Sequence, residues 1–326
     1  MTALGLSAAG VFAQPAAVDW SGLAWIDYAY TVSSDDPDLE GANSFDYRRI
    51  YLTADVDLDD DVRMRVRLEA LGRATTEAGR PSPFVKDVWV RWQYAESGHR
   101  ATIGVQPPPL FQISESVWGY RSLDRTVIDR SRIRSSRDMG LRLDGPIALD
   151  SRLRYAVMIG NGRGVRPEPV GEEGKHVYGQ IIYADGPFRA TLGADYTANV
   201  PNLPDAERRS GTRVSALVGS ITEHYRLGLE GYYNRADFDR ERLVSQDGFG
   251  VSAFAVVNAT SRTSLVARYD YIDDDARLGD ADEHYVLGAV AYHPVPYLQI
   301  IPNVIATVLE GADLDVLARV TVAARF

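Results

Sequence analysis

Residues 49–70 read RIYLTADVDLDDDVRMRVRLEA, and the period of this stretch decides the fold. Ile50, Leu52, Ala54, Val56 and Leu58 alternate with Arg49, Tyr51, Thr53, Asp55 and Asp57. After the turn Asp59-Asp60-Asp61, Val62, Met64, Val66, Leu68 and Ala70 alternate with Arg63, Arg65, Arg67 and Glu69. A period of two sends the two sets to opposite faces of an extended chain, one apolar and one charged. Two such runs joined by three aspartates form an antiparallel hairpin.

The same period continues outward in both directions. Candidate strands fall at 18–32, 45–58, 62–71, 84–94, 99–105, 137–144, 151–160 and 176–184, then at 188–197, 211–221, 225–234, 246–257, 263–272, 283–292, 297–309 and 315–326. No long segment keeps a helical period, so the chain reads as all-β with about sixteen strands. The connections alternate in length. Short turns such as Asp185-Gly186-Pro187 and His293-Pro294-Val295-Pro296 are followed by long loops, including 33–44, 106–136, 161–175 and 273–282. Short turns at one rim, long loops at the other and an even strand count describe a transmembrane antiparallel β-barrel. Closure leaves no unpaired edge, as lipid requires.

Composition is compatible with that reading. Hydrophobic residues make up 45% of the 326, and mean hydropathy is −0.21. Barrel strands are apolar on one face only, so the average looks like that of a water-soluble protein. The net charge of −10 argues against nucleic acid as a partner. The absence of cysteine removes disulfides and thiolate metal sites. No cofactor motif is present. Eighteen tyrosines against nine phenylalanines suit rings at a membrane–water interface. Trp20, Trp25, Tyr28, Tyr30, Trp92, Tyr94, Tyr155, Tyr225, Tyr233, Tyr269, Tyr271, Tyr285 and the terminal Phe326 are expected on the outer face. Val11-Phe12-Ala13 resembles an export cleavage site, without the basic residues that normally precede it. Residues 1–13 therefore read as a residual signal, and 14–326 as a single barrel domain.

Several segments together carry a family resemblance. They are Arg48-Arg49-Ile50-Tyr51-Leu52, Val88-Trp89-Val90-Arg91-Trp92, Ile103-Gly104-Val105-Gln106 before a proline, Arg137-Asp138-Met139-Gly140-Leu141, and Ile159-Gly160-Asn161-Gly162-Arg163-Gly164. In this order and spacing the chain resembles the phosphate-selective porin O and P family of Gram-negative outer-membrane porins. The resemblance implies a trimeric sixteen-stranded porin whose long third loop, here 106–136, folds into the pore. It departs at Pro107-Pro108-Pro109, where the family tends to have a lysine and a single proline. The family's phosphate-binding residues do not align one by one onto this loop.

The candidate site follows from alternation. With the apolar face toward lipid, Arg63, Arg65, Arg67, Arg91, Arg142, Arg152 and Arg154 point into the lumen together with Arg49. The inward loop and its exit add Arg121, Arg125, Arg130, Arg132 and Arg134, with Glu115, Asp124 and Asp129 as acidic partners. Arginine suits an anion path because its planar fork keeps its charge and offers several donors. Each arginine is equally readable as a girder tying the wall to the loop. For the whole cluster, an arginine wall facing an acidic loop is expected to bias the pore toward anions.

Other chemistry is thin. His99, His176, His224, His284 and His293 have no ligand spacing and read as solvated. The acidic run Asp273, Asp274, Asp275, Asp280, Asp282, Glu283 lacks a calcium-loop pattern and reads as a solvated or lipopolysaccharide-bridging surface. The expected function is passive diffusion of small hydrophilic solutes, anionic or neutral, across the outer membrane of a Gram-negative cell. Two alternatives stay open: an outer-membrane barrel enzyme using a set such as Ser220 with His224, or a soluble secreted carbohydrate-binding β-protein.

Overall fold

The computed structural model describes residues 17–72, 80–131, 135–147, 151–166, 174–201, 208–239, 243–273 and 282–326. The signal-like segment 1–13, Arg132, Arg134 and half of the acidic run (Asp274, Asp275 and Asp280) lie outside these residues. Sixteen strands follow in order: β1 (Val18–Ser33), β2 (Asn43–Asp59), β3 (Val62–Ala70), β4 (Phe84–Gln93), β5 (Arg100–Gln106), β6 (Asp138–Pro146), β7 (Leu153–Gly160) and β8 (Lys175–Asp185). They continue as β9 (Phe188–Pro201), β10 (Arg208–Ile221), β11 (Tyr225–Asp239), β12 (Leu243–Thr260), β13 (Thr263–Asp273), β14 (Asp282–Val295), β15 (Leu298–Leu309) and β16 (Asp315–Arg325).

Each strand pairs antiparallel with the next, and β1 pairs with β16 to close the barrel. At the seam Gly22 and Phe326 exchange backbone hydrogen bonds of 3.0 and 3.1 Å. β9 to β12 run further toward the long-loop rim than alternation indicated, with Asp239 still paired to Leu243. Beyond the bilayer water solvates both faces, so a strand can continue with no apolar period to reveal it.

The outer face is apolar and unprotected from the surroundings: Ile103, Leu192 and Leu229 are each more than 60% exposed. A contiguous surface of this kind is stable only against lipid or another apolar partner. On β11, Tyr225 and Tyr233 both point outward. Eight residues of strand separate them, or ~27 Å before tilt, which brackets a hydrocarbon core.

Two aromatics expected on that face are inside. Trp25 and Tyr285 are buried in the bore, at 5% and 2% exposure. Two bulges also move charges inward. Arg48 and Arg49 together oppose Trp25, and the register shifts there. Lys86 is the extra residue where β3 and β4 slip between Arg67 and Leu68. A bulge puts consecutive side chains on one face, so Arg48 with Arg49, and Lys86 with Asp87, all enter the lumen. His176 is a further correction: it is buried on β8, with its Nε2 2.8 Å from Asp195.

Candidate pore constriction

The long loop leaves the wall at Gln106, whose Nε2 donates to the carbonyls of Thr102 at 2.9 Å and Gly140 at 3.2 Å. Pro107, Pro108 and Pro109 follow; they have no N–H to continue the ladder, and their fixed φ stiffens the departing chain. The loop then forms two short helices, α1 (Gln112–Trp118) and α2 (Val127–Arg130). α1 stops at Gly119 with φ 73°, a left-handed conformation that favours glycine. A Cβ there would also sit 3.0 Å from the Arg226 guanidinium.

One side of the loop is apolar and fixes it against half of the barrel. Val117, Trp118, Tyr120 and Leu123 pack with Leu217, Phe254, Val266 and Leu287. Leu110, Phe111, Val127 and Ile128 pack with Met158, Tyr178, Tyr232 and Ile272. The polar side faces a cavity of about 690 Å³ between the loop and β1, β2 and β16, lined by Asp27, Asp46, Arg48, Arg49 and Arg319 of the wall and by Arg121, Asp124 and Arg125 of the loop among others.

Wall arginines hold the loop by its carbonyls. Arg48 donates to Leu123 O at 2.8 Å and to Ser122 O. Arg319 reaches Leu123 O at 2.8 Å, Arg226 reaches Ser116 O at 2.7 Å, and Arg268 caps Arg125 O. Main-chain acceptors of a loop inside a barrel need partners, and a fork of five donors supplies them from the wall.

Most of the loop's own charges are also satisfied. Arg121 bridges Glu115 at 3.1 Å and Asp129 at 2.7 Å. Arg130 meets Glu283, lies 3.8 Å from Asp270 and 3.9 Å from Asp124, and sits 3.9 Å over the Tyr285 ring. Arg125 is looser, 4.0 Å from Asp129 with its side chain 37% exposed. Asp124 accepts from the Tyr285 hydroxyl at 2.8 Å and from the Arg125 N–H at 2.7 Å. Burial favours its neutral form, but Arg268, these two hydrogen bonds and Arg130 outweigh that and hold its pKa below the ordinary aspartate value. The expected opposition of an arginine wall and an acidic loop is therefore corrected. Glu115 and Asp129 pair within the loop, and Asp124 looks toward β13 and β14.

The wall from β2 to β7 is cationic in a particular way: four of its carboxylates serve two or more cations each, whereas among the described residues buried Asp138 accepts only from the Tyr178 hydroxyl and the backbone N–H groups of Met139 and Gly162. Asp55 holds Arg65 at 2.7 Å and Arg63 at 3.9 Å, with Asp57 a second partner for Arg63 at 3.4 Å. Glu69 holds Arg49 at 2.7 Å, and also Lys86 at 2.5 Å. Asp87 holds Arg67 at 3.1 Å and Arg137. Asp144 is shared by Arg100, Arg142 at 3.3 Å and Arg154 at 3.8 Å. Arg142 further donates to Gln112 Oε1 at 2.7 Å, tying the wall to α1. Arg91 bonds only Thr102 Oγ1, at 3.2 Å, and stacks 4.5 Å from Trp89. It has no carboxylate partner among the described residues and stands directly opposite Arg63. Arg152 is different: it sits on the turn before β7, half exposed, 3.6 Å from Asp185, so it belongs to the rim.

Alternation missed Arg48 and Lys86 because of the bulges. It reaches Arg100, Arg226, Arg268 and Arg319 by the same period-two rule, but nothing local distinguishes them from solvated positions. Of the pair named for the enzyme alternative, Ser220 pairs across the sheet with the outward Leu227, and His224 is exposed on a turn beside Glu223.

No family profile matches the sequence, and no curated protein resembles it at the sequence level. Similarity lies in the fold. The chain superimposes on an anion-selective porin from Comamonas acidovorans with a TM-score of 0.73 at 13% identity, over 95% of this chain and 100% of that one. It superimposes on OprB of Pseudomonas putida with a TM-score of 0.67 at 12% identity, over 95% and 94%. For the outer membrane channel DcaP of Acinetobacter baumannii the values are 0.65 and 12%, over 95% and 97%. The closed sixteen-stranded barrel is thus the porin fold. Assignment to the phosphate-selective family in particular finds no match.

Proposed function

We propose that this chain is an outer-membrane porin: a passive diffusion channel for small hydrophilic solutes with a preference for anions, phosphate and other oxyanions among them. One observation carries the preference. On the β2–β7 wall Asp55, Glu69, Asp87 and Asp144 are each shared among two or three cations, and Arg91 has no carboxylate partner among the described residues. A bore whose fixed charge is positive raises the local concentration of anions, and its low-dielectric walls strengthen the effect. The guanidiniums cannot lose their charge, so the bias persists across physiological pH. The porins with which the chain shares its fold support the channel reading, and one of them is described as anion-selective. Assembly as a homotrimer in lipid and lipopolysaccharide belongs to the same reading, and no catalytic role is assigned.

Reversal potentials across a KCl gradient, with the purified protein in planar bilayers, test the proposal. Anion-selective open channels are expected. Absence of channels, or clear cation selectivity, overturns it. Cross-linking in native membranes is expected to trap trimers.

A further inference from the structure

A second arginine cluster lies on the opposite side of the barrel, beneath the loop. A cavity of about 780 Å³ opens toward the short-turn rim of β11 to β16, where Arg226, Arg262, Arg325, His293 and Tyr120 line it. Its one lining carboxylate is Glu223, whose side chain is 84% exposed and lies 3.2 Å from His224 on the outer edge of the turn.

The three guanidiniums are unlike those of the constriction. Arg226 spends one donor on Ser116 O at 2.7 Å, and Arg325 spends one on Pro296 O at 3.4 Å. The Arg262 side chain makes no hydrogen bond or ion pair among the described residues. None of the three has a carboxylate partner among the described residues. Each guanidinium carries five N–H groups, so most of the donors in this chamber are unspent. Like charges gathered without counter-charge repel one another, and a bound anion relieves the repulsion. Tyr120, with its Oη 3.5 Å from His293 Nε2, roofs the chamber from the loop side.

We infer that this chamber is a binding site for a multivalent anion, a small molecule carrying two or more carboxylate or phosphate groups, entered from the short-turn rim. Its size and three separate forks suit a tricarboxylate or a pyrophosphate better than chloride. The inference rests on the barrel being a channel whose short-turn rim faces the periplasm, but not on the selectivity of the β2–β7 wall. The occupant would sit below the constriction, so that it obstructs current from one side only.

Citrate and pyrophosphate, added to each side of a bilayer in turn during KCl recording, provide the test, together with calorimetric titration of the detergent-solubilised protein. One-sided block of the potassium chloride current is expected for both probes. The paired substitutions Arg262→Ala and Arg325→Ala are expected to weaken block and calorimetric affinity at least tenfold, while Arg91→Ala, on the other wall, leaves both unchanged. Neither exposed substitution breaks an ion pair, so assembly should survive. Equal block from both sides, or block abolished by Arg91→Ala and untouched by the paired change, overturns the inference. Heat on titration without channels would keep the chamber and discard the porin reading; channels without heat or block would do the reverse.

Discussion

The β2–β7 wall and the chamber beneath the loop are both built with arginine, and they use it in opposite ways. On the wall Arg49, Arg63, Arg65, Arg67, Arg100, Arg142 and Arg154 each rest on a carboxylate shared with a neighbouring cation, Arg48 has Asp27 to itself, and only Arg91 has no carboxylate partner among the described residues. Among the same residues, none of the chamber's three arginines has one. Shared carboxylates fix the guanidiniums in place and leave a modest positive excess, which suits a surface past which solutes must move. Unshared guanidiniums keep their donors for a ligand. The difference is between steering and binding, and it comes from where the acids were placed and not from the number of arginines.

The comparison breaks most readily where the loop separates the two regions. Trp118 is fully buried against Phe254, ring centroids 5.1 Å apart. Truncating a buried tryptophan costs about 3–5 kcal/mol, so Trp118→Ala is expected to release the loop and merge chamber and path. Single-channel conductance should rise severalfold and larger sugars should enter in liposome swelling; unchanged conductance would show that the loop is held some other way. Arg130→Met removes the ion-pair partner of Glu283 and a second cation from Asp270 and Asp124, which keep Arg268 and the Tyr285 hydroxyl. Breaking a buried ion pair typically costs about 3–5 kcal/mol, reduced here because Glu283 is a quarter exposed. Thermal unfolding in detergent should shift downward by several degrees, and current noise should increase.

Smaller changes sharpen the wall. Asp144→Asn leaves Arg100, Arg142 and Arg154 without their shared charge, and the chloride-to-potassium permeability ratio is expected to rise about two- to threefold on the strength of surface steering. Arg91→Ala should lower it by a similar factor; a pair of substitutions that both leave reversal potential fixed would place selectivity elsewhere. The loop contact at Asp124 carries a pH prediction. Its pKa is lowered in the folded protein, so its stabilising contribution is present above the ordinary carboxylate range and lost only as pH falls through the lowered value. Conductance should stay level from pH 7 to about pH 4 and change only in stronger acid. Smallest of all is Arg63→Ala: its side chain is 44% exposed, and an exposed pair contributes about 0–1 kcal/mol. Unfolding temperature should hardly move.

The alternation of Val62 to Ala70 shows why so much of the fold was legible. A strand in lipid must turn apolar residues outward at every second position, must be about ten residues long, and must pair with neighbours until no edge remains. These are local demands, written residue by residue, so strand count, faces and turn placement could be read without coordinates; the inward loop was implied by the family resemblance. Arg65, Arg67, Arg91, Arg142 and Arg154 were reached in this way. Trp25 and Tyr285 were not, because a period alone cannot tell an outer aromatic from one that props an arginine in the bore. Arg48 and Lys86 were hidden by bulges, since one extra residue shifts the phase without altering the flanking pattern.

The sequence by itself determined the barrel, because the bilayer imposes its period on every strand separately. Only the tertiary structure decided what each arginine does. Arg268 meets the carbonyl of Arg125 across 143 positions and Arg319 meets that of Leu123 across 196, while the Arg262 guanidinium has no hydrogen-bond or ion-pair partner among the described residues. Whether a guanidinium is spent on the protein or free for a solute depends on which acid or carbonyl the closed barrel brings beside it, and closure sets those neighbours between residues far apart in the chain.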